Sequence, residues 1–145
     1  MIQDINPYLV LNGNGHEAVE FYKHALGAEV VSVSNFGDMP EPEDPAHRVP
    51  EDAKGRLLHA HLRVGNSDLM LSDNFPGMPY QLGSQVTIVI SVSDAQMARE
   101  VFGRLQEGGQ VEMPLQETFW SPLYGMVTDK FGVLWQVSTN PTGQS

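Results

Sequence analysis

Residues 85–109 read QVTIVISVSDAQMAREVFGRLQEGG. Val86, Ile88, Ile90 and Val92 alternate with Gln85, Thr87, Val89 and Ser91, which predicts a strand over 85–92 with one apolar face. Ser93 then stands as an N-cap with Gln96 three residues on. Ala98, Val101 and Leu105 follow at i, i+3 and i+7, and Gly108-Gly109 ends the helix. The same grammar is already present at 7–27, PYLVLNGNGHEAVEFYKHALG. Pro7 opens a short apolar strand over 7–11, Asn14 with Glu17 forms a capping-box-like start, and Gly27 stops the helix. Val19, Tyr22 and Leu26 map onto Ala98, Val101 and Leu105 at one constant offset, so the chain holds an internal repeat.

Each strand–helix pair is followed by three further strands. In the first half these are expected over 28–36, 56–64 and 68–73, the last two joined by the Gly65-Asn66 turn. In the second half they fall over 110–116, 125–128 and 133–138, the last two joined by the turn Asp129-Lys130-Phe131-Gly132. The order is βαβββ twice, an α+β chain read as one domain. Module 1 covers about 5–74, a Pro/Gly-rich linker 75–84, and module 2 about 85–140. The tail 141–145 is expected to fray.

Alternation also sorts the faces. Leu58, Ala60, Leu62 and Val64 oppose His59, His61 and Arg63. Val133, Trp135 and Val137 oppose Leu134, Gln136 and Ser138. The apolar faces should lie under the helices, and the half-polar faces suit a small-molecule pocket or a subunit contact.

The chain has 145 residues and a formal net charge of −10. That balance argues against nucleic acid or an anionic membrane surface as partner. Half the charge sits in 37–53, where Asp38, Glu41, Glu43, Asp44, Glu51 and Asp52 face one Arg48 among four prolines. This segment reads as a solvated surface loop or a flap. There is no cysteine, which excludes disulfides, thiolate metal sites and thiol nucleophiles and fits a cytoplasmic protein. Neither a signal peptide nor an apolar run long enough to span a bilayer is expected.

The paired modules resemble the vicinal oxygen chelate superfamily, which includes glyoxalase I, extradiol dioxygenases and bleomycin-resistance proteins. The PhnB-like branch is the better match. It is carried by 6–14 (NPYLVLNGN), by 18–23 (AVEFYK), by 59–62 (HAHL), by 113–120 (MPLQETFW) and by 125–135 (GMVTDKFGVLW). The resemblance implies a cupped eight-stranded mixed sheet with helices on its outer face, a homodimer and a small-molecule ligand. The superfamily's metalloenzymes hold a divalent ion at four strand positions, which fall here at Pro7, Met70, Thr87 and Gln136. Only Gln136 offers a suitable oxygen, so the usual ligand set is missing, no metal is expected there, and the cofactor stays open. Some PhnB-like sequences carry a methyltransferase label, but no glycine-rich nucleotide loop on a Rossmann unit supports one here.

Candidate ligand-binding residues are His59, His61, Met70, Thr87, Gln116, Trp120 and Gln136. His59 and His61 share a strand face. They suit a metal or an acid–base group, with Asp73 or Glu117 as possible completion, or simply a polar wall. Gln116, Glu117 and Trp120 either line a pocket mouth, with the indole stacking a planar ligand, or anchor a loop or dimer seam together with Phe119. Met70 and Met126 also read as packing residues, and Trp135 as core. Asn12-Gly13-Asn14-Gly15 is a turn and N-cap, since it lacks the lysine and spacing of a phosphate loop. Neither a Ser-His-Asp order nor a GxSxG elbow is present. The functional readings are a metal-free binding or sequestering protein, a lyase, isomerase or dioxygenase-like enzyme around His59, His61 and Gln136, or a structural dimer with a vestigial pocket.

Overall fold

A computed structural model describes residues 1–139; the expected frayed tail lies outside the described residues. The chain forms two compact units, Met1–Tyr80 and Gln81–Ser145. In the first, β1 (Tyr8–Leu11), α1 (Gly15–Leu26), β2 (Glu29–Asn35), β3 (Leu57–Val64) and β4 (Ser67–Asp73) give a four-stranded mixed sheet, ordered β1-β4-β3-β2. In the second, β5 (Ile88–Val92), α2 (Ala95–Leu105), β6 (Gln110–Gln116), β7 (Tyr124–Thr128) and β8 (Leu134–Thr139) repeat the plan as β5-β8-β7-β6. In each sheet the first strand pairs in parallel with the last, and the remaining pairs are antiparallel. This is the βαβββ repeat read from the sequence.

Each helix covers one face of its own sheet. Ala18, Val19, Phe21, Tyr22 and Ala25 of α1 bury against Leu11, Leu57, Ala60, Leu62 and Leu71. Ala98, Val101, Phe102 and Leu105 of α2 do the same over Val127, Trp135 and Val137. Burying a large aliphatic or aromatic side chain contributes about 1.5–3 kcal/mol, so these two stripes hold the helices in place. Gly27 ends α1 in the left-handed conformation at φ +65°, where a side chain would be strained.

Several expectations are corrected. The cap of α2 is Asp94, not Ser93: its carboxylate accepts from the Met97 amide at 2.8 Å. Asn14 occupies the cap position of α1, but its side chain makes no cap hydrogen bond. A buried carboxylate from the end of β4 takes that role. Asp73 Oδ1 accepts from the amides of Gly13 and Gly15, each at 2.8 Å, and Oδ2 accepts from Leu57 N at 2.9 Å. The strand expected over 85–92 starts at Ile88, because ladder pairing with β8 begins at Ile88↔Trp135 and the preceding residues have no ladder partner there. In β3 the alternation breaks at Leu57, which is buried while Leu58 is half-buried, where a register shift interrupts the pairing opposite Ser34 and Asn35.

The loop over 37–53 contains three short 3-10 turns, Phe36–Asp38, Pro45–His47 and Glu51–Ala53. With Lys54 it surrounds a cavity of about 310 Å³ lined by Phe36, Met39, Pro40, Pro42 and Val49. No helix among the described residues is long and apolar enough to cross a membrane.

Candidate functional site

The strand pleat leaves one half-polar face on each sheet. In the first unit, pairing aligns Tyr8, Met70, His61 and Ser32 across four strands, so these side chains share a face. His59, two residues along β3, points the same way. Its Nδ1 lies 3.1 Å from the Tyr8 hydroxyl, and the rings tilt at 32° with centroids 5.7 Å apart. His61 Nε2 lies 2.7 Å from Asp68 Oδ1, and Arg63 Nε donates to the same oxygen at 2.8 Å. The hydrogen bond from His61, helped by the Arg63 charge, holds the Asp68 carboxyl below the ordinary carboxylate range. The sequence reading brought out His59, His61 and Met70 but missed Tyr8 and Asp68.

Asp73 does not complete a site with these histidines. Ala60↔Leu71 and Leu62↔Leu69 set the buried face, and Asp73 falls in step with Leu69 and Leu71, its carboxylate occupied by three amides on the helix side. Glu117 makes no contact that would place it in a constellation of three acidic or imidazole groups among the described residues.

In the second unit, Gln136 is the centre of the half-polar face. Tyr124 Oη donates to its Oε1 at 2.7 Å, and its Nε2 donates to Thr87 Oγ1 at 2.7 Å. The amide orientation is therefore fixed from both ends. Trp120 sits edge-on to Tyr124, centroids 5.3 Å apart, and Phe119 sits edge-on to Trp120 at 4.9 Å. Trp120 is half exposed and Phe119 almost fully so. The loop carrying them is pinned at its far end by Ser121, whose buried hydroxyl lies within hydrogen-bond reach of Leu123 O and Thr139 O, at 2.8 and 2.7 Å, and whose amide donates to Thr118 Oγ1. Gln116 pairs with Tyr124 across the β6–β7 ladder and is exposed. Thr87, Gln136, Tyr124 and Trp120 thus form one continuous line. On the opposite face Trp135 is buried, its indole N–H donating to Asp129 Oδ2 at 2.8 Å, and it belongs to the core.

The four positions that the resemblance assigns to a divalent ion do not carry its usual donors. Pro7 has no ligating side chain, Met70 offers a soft thioether, the Thr87 hydroxyl receives the Gln136 amide, and Gln136 Oε1 receives the Tyr124 hydroxyl. Among the described residues no three His, Asp or Glu side chains gather where they would hold a metal.

Comparison with known proteins places these faces in context. A family model described as the Glyoxalase/Bleomycin resistance protein/Dioxygenase superfamily matches residues 4–137. Protein YjdN of Escherichia coli K12 is 36% identical over 138 residues, spanning 92% of this chain and 93% of that protein. The crystal structure of protein PA1353 from Pseudomonas aeruginosa superposes with a TM-score of 0.83 at 41% identity, covering 96% of this chain and 98% of that one. A PhnB protein from Bacillus cereus, described as a putative 3-demethylubiquinone-9 3-methyltransferase, superposes at 0.75 with 25% identity over 94% of this chain and 99% of that one.

Proposed function

Because the chain belongs to the glyoxalase/bleomycin resistance protein/dioxygenase superfamily, we propose that it binds a small organic molecule on a half-polar sheet face without a divalent ion. The observation that carries this reading is the fixed Thr87–Gln136–Tyr124 line beside the half-exposed Trp120. Tyr124 and Thr87 leave Gln136 with one spare acceptor position and one spare N–H. A planar molecule with a polar edge would stack on the indole and bond to the amide. The likeness to a protein described as a methyltransferase does not extend to a nucleotide loop in this sequence, and no group transfer is assigned.

A screen of planar polar compounds, read by quenching of tryptophan fluorescence, tests the proposal. Both Trp120→Ala and Gln136→Leu should weaken a hit about ten-fold or more, equivalent to about 1.4 kcal/mol. Hits unaffected by both substitutions would place the ligand elsewhere. We read the chain further as a cytoplasmic homodimer. The absence of cysteine suits a reducing compartment. β2 is an edge strand with Val31 and Val33 about half exposed, and such an edge calls for a cover. Light scattering at twice the chain mass supports that reading; a monomer at micromolar concentration opposes it.

A further inference from the structure

The half-polar face of the first sheet carries a donor set that the small-molecule reading does not use. His61 and Met70 are directly opposite in the β3–β4 ladder. His59 shares their face, two residues along β3 from His61. Cβ atoms directly opposite lie about 5 Å apart and diagonal ones about 7–8 Å. Two imidazoles and a thioether therefore stand as neighbours on one sheet face. All three residues are half-buried, so they are partly fixed by packing yet reachable from solvent.

The outer partners are those of a metal-binding imidazole. A carboxylate oxygen 2.7 Å from His61 Nε2 requires a proton between them. Nε2 therefore donates, and Nδ1 of the neutral ring keeps its lone pair. His59 makes the complementary contact through Nδ1 to the Tyr8 hydroxyl. With the proton on Nδ1, its Nε2 is bare. In the His59 tautomer that carries its proton on Nδ1, each ring has one nitrogen held by an outer partner and the other free to ligate, the arrangement that orients ligating histidines.

We infer that His59, His61 and Met70 form a three-coordinate site for a soft monovalent metal ion, with cuprous copper the fitting case. Two imidazoles and a thioether are neutral, soft to borderline donors that match Cu(I), whereas Zn²⁺ takes four ligands and the harder divalent ions favour carboxylate, carbonyl and water oxygens. The Asp68 carboxylate balances the single positive charge from the outer shell. The site draws on none of the residues of the Gln136 face, so it stands or falls independently of the ligand proposed there.

Anaerobic titration of the full chain with Cu(I) against a chromophoric Cu(I) chelator tests the inference. One equivalent should be withdrawn from the chelator, with a sulfur scatterer in its X-ray absorption spectrum. Met70→Leu, which conserves volume, should weaken binding ten-fold or more and remove the sulfur signal. His61→Gln should abolish the stoichiometric binding, and Asp68→Asn should weaken it about 10–100-fold. A native circular dichroism spectrum and a cooperative thermal transition would confirm that each variant is folded. Failure to compete with the chelator, retention of full affinity in folded Met70→Leu, or preferential occupation by Zn²⁺ would each overturn the assignment.

Discussion

Asp73 shows how a single side chain ties distant parts of a module together. It is buried at the end of β4, yet it binds the turn before α1 and the first residue of β3. Asp73→Asn keeps the shape but replaces a charged double acceptor with an amide whose NH₂ faces a donor. The expected cost is about 2–4 kcal/mol, read as a fall in the urea midpoint. Asp68 acts at the surface, and its effect is seen through pH. Because its folded pKa lies below the ordinary 3.8, its contribution is present above that value and lost as pH falls through the lower folded pKa. The stability difference between the parent chain and Asp68→Asn should therefore shrink as pH drops below 3.8. The same two aspartates mark the limit of reading single residues from sequence. Alternation was enough to put His59 and His61 on one face. Their partners Tyr8 and Asp68 come from other strands, and only the ladder register brings them within bonding distance. Asp73 was a candidate for the wrong face because a carboxylate at a strand end gives no local sign that it caps a helix about 60 residues earlier.

At the scale of elements, the two helices follow the same apolar spacing but are started differently. α2 is capped locally by Asp94, one residue later than the Ser93 suggested by the Ser-x-x-Gln pattern. Both residues are good caps, and which one serves depends on where the backbone turns from extended to helical; Asp94 is still extended at φ −151°, ψ 167°. Asp94→Ala should cost about 1 kcal/mol, whereas Ser93→Ala should change the unfolding midpoint little. Equal effects from the two would contradict the assigned cap. Strand interiors were legible because period-two alternation is strong in β3, β5 and β8. Their ends were less so, since an end is decided by the neighbouring strand. β5 stops short of Gln85 because the ladder with β8 starts at Ile88. In β6, Pro114 sits on an edge strand amid two register shifts, where a missing donor is tolerated.

For the whole molecule, the repeat at a constant offset and the segments around HAHL and PLQETFW were enough to reach the superfamily. Carried over by that resemblance, the usual divalent-ion positions fall at Pro7, Met70, Thr87 and Gln136, of which only Gln136 offers a suitable oxygen. What the sequence could not show is the bonding that occupies the remaining donors, above all the double hydrogen bond that holds Gln136 between Tyr124 and Thr87. That bonding supports a face built to recognise an organic molecule directly. The most direct test is a thermal-shift screen of planar polar compounds on chelator-treated protein. The account predicts that a compound at about a hundred times its Kd raises Tm by about 5–11 °C. Gln136→Leu should remove that shift, and restoring Mn²⁺, Ni²⁺ or Zn²⁺ should not enlarge it. A shift seen only after a divalent ion is returned would contradict the account.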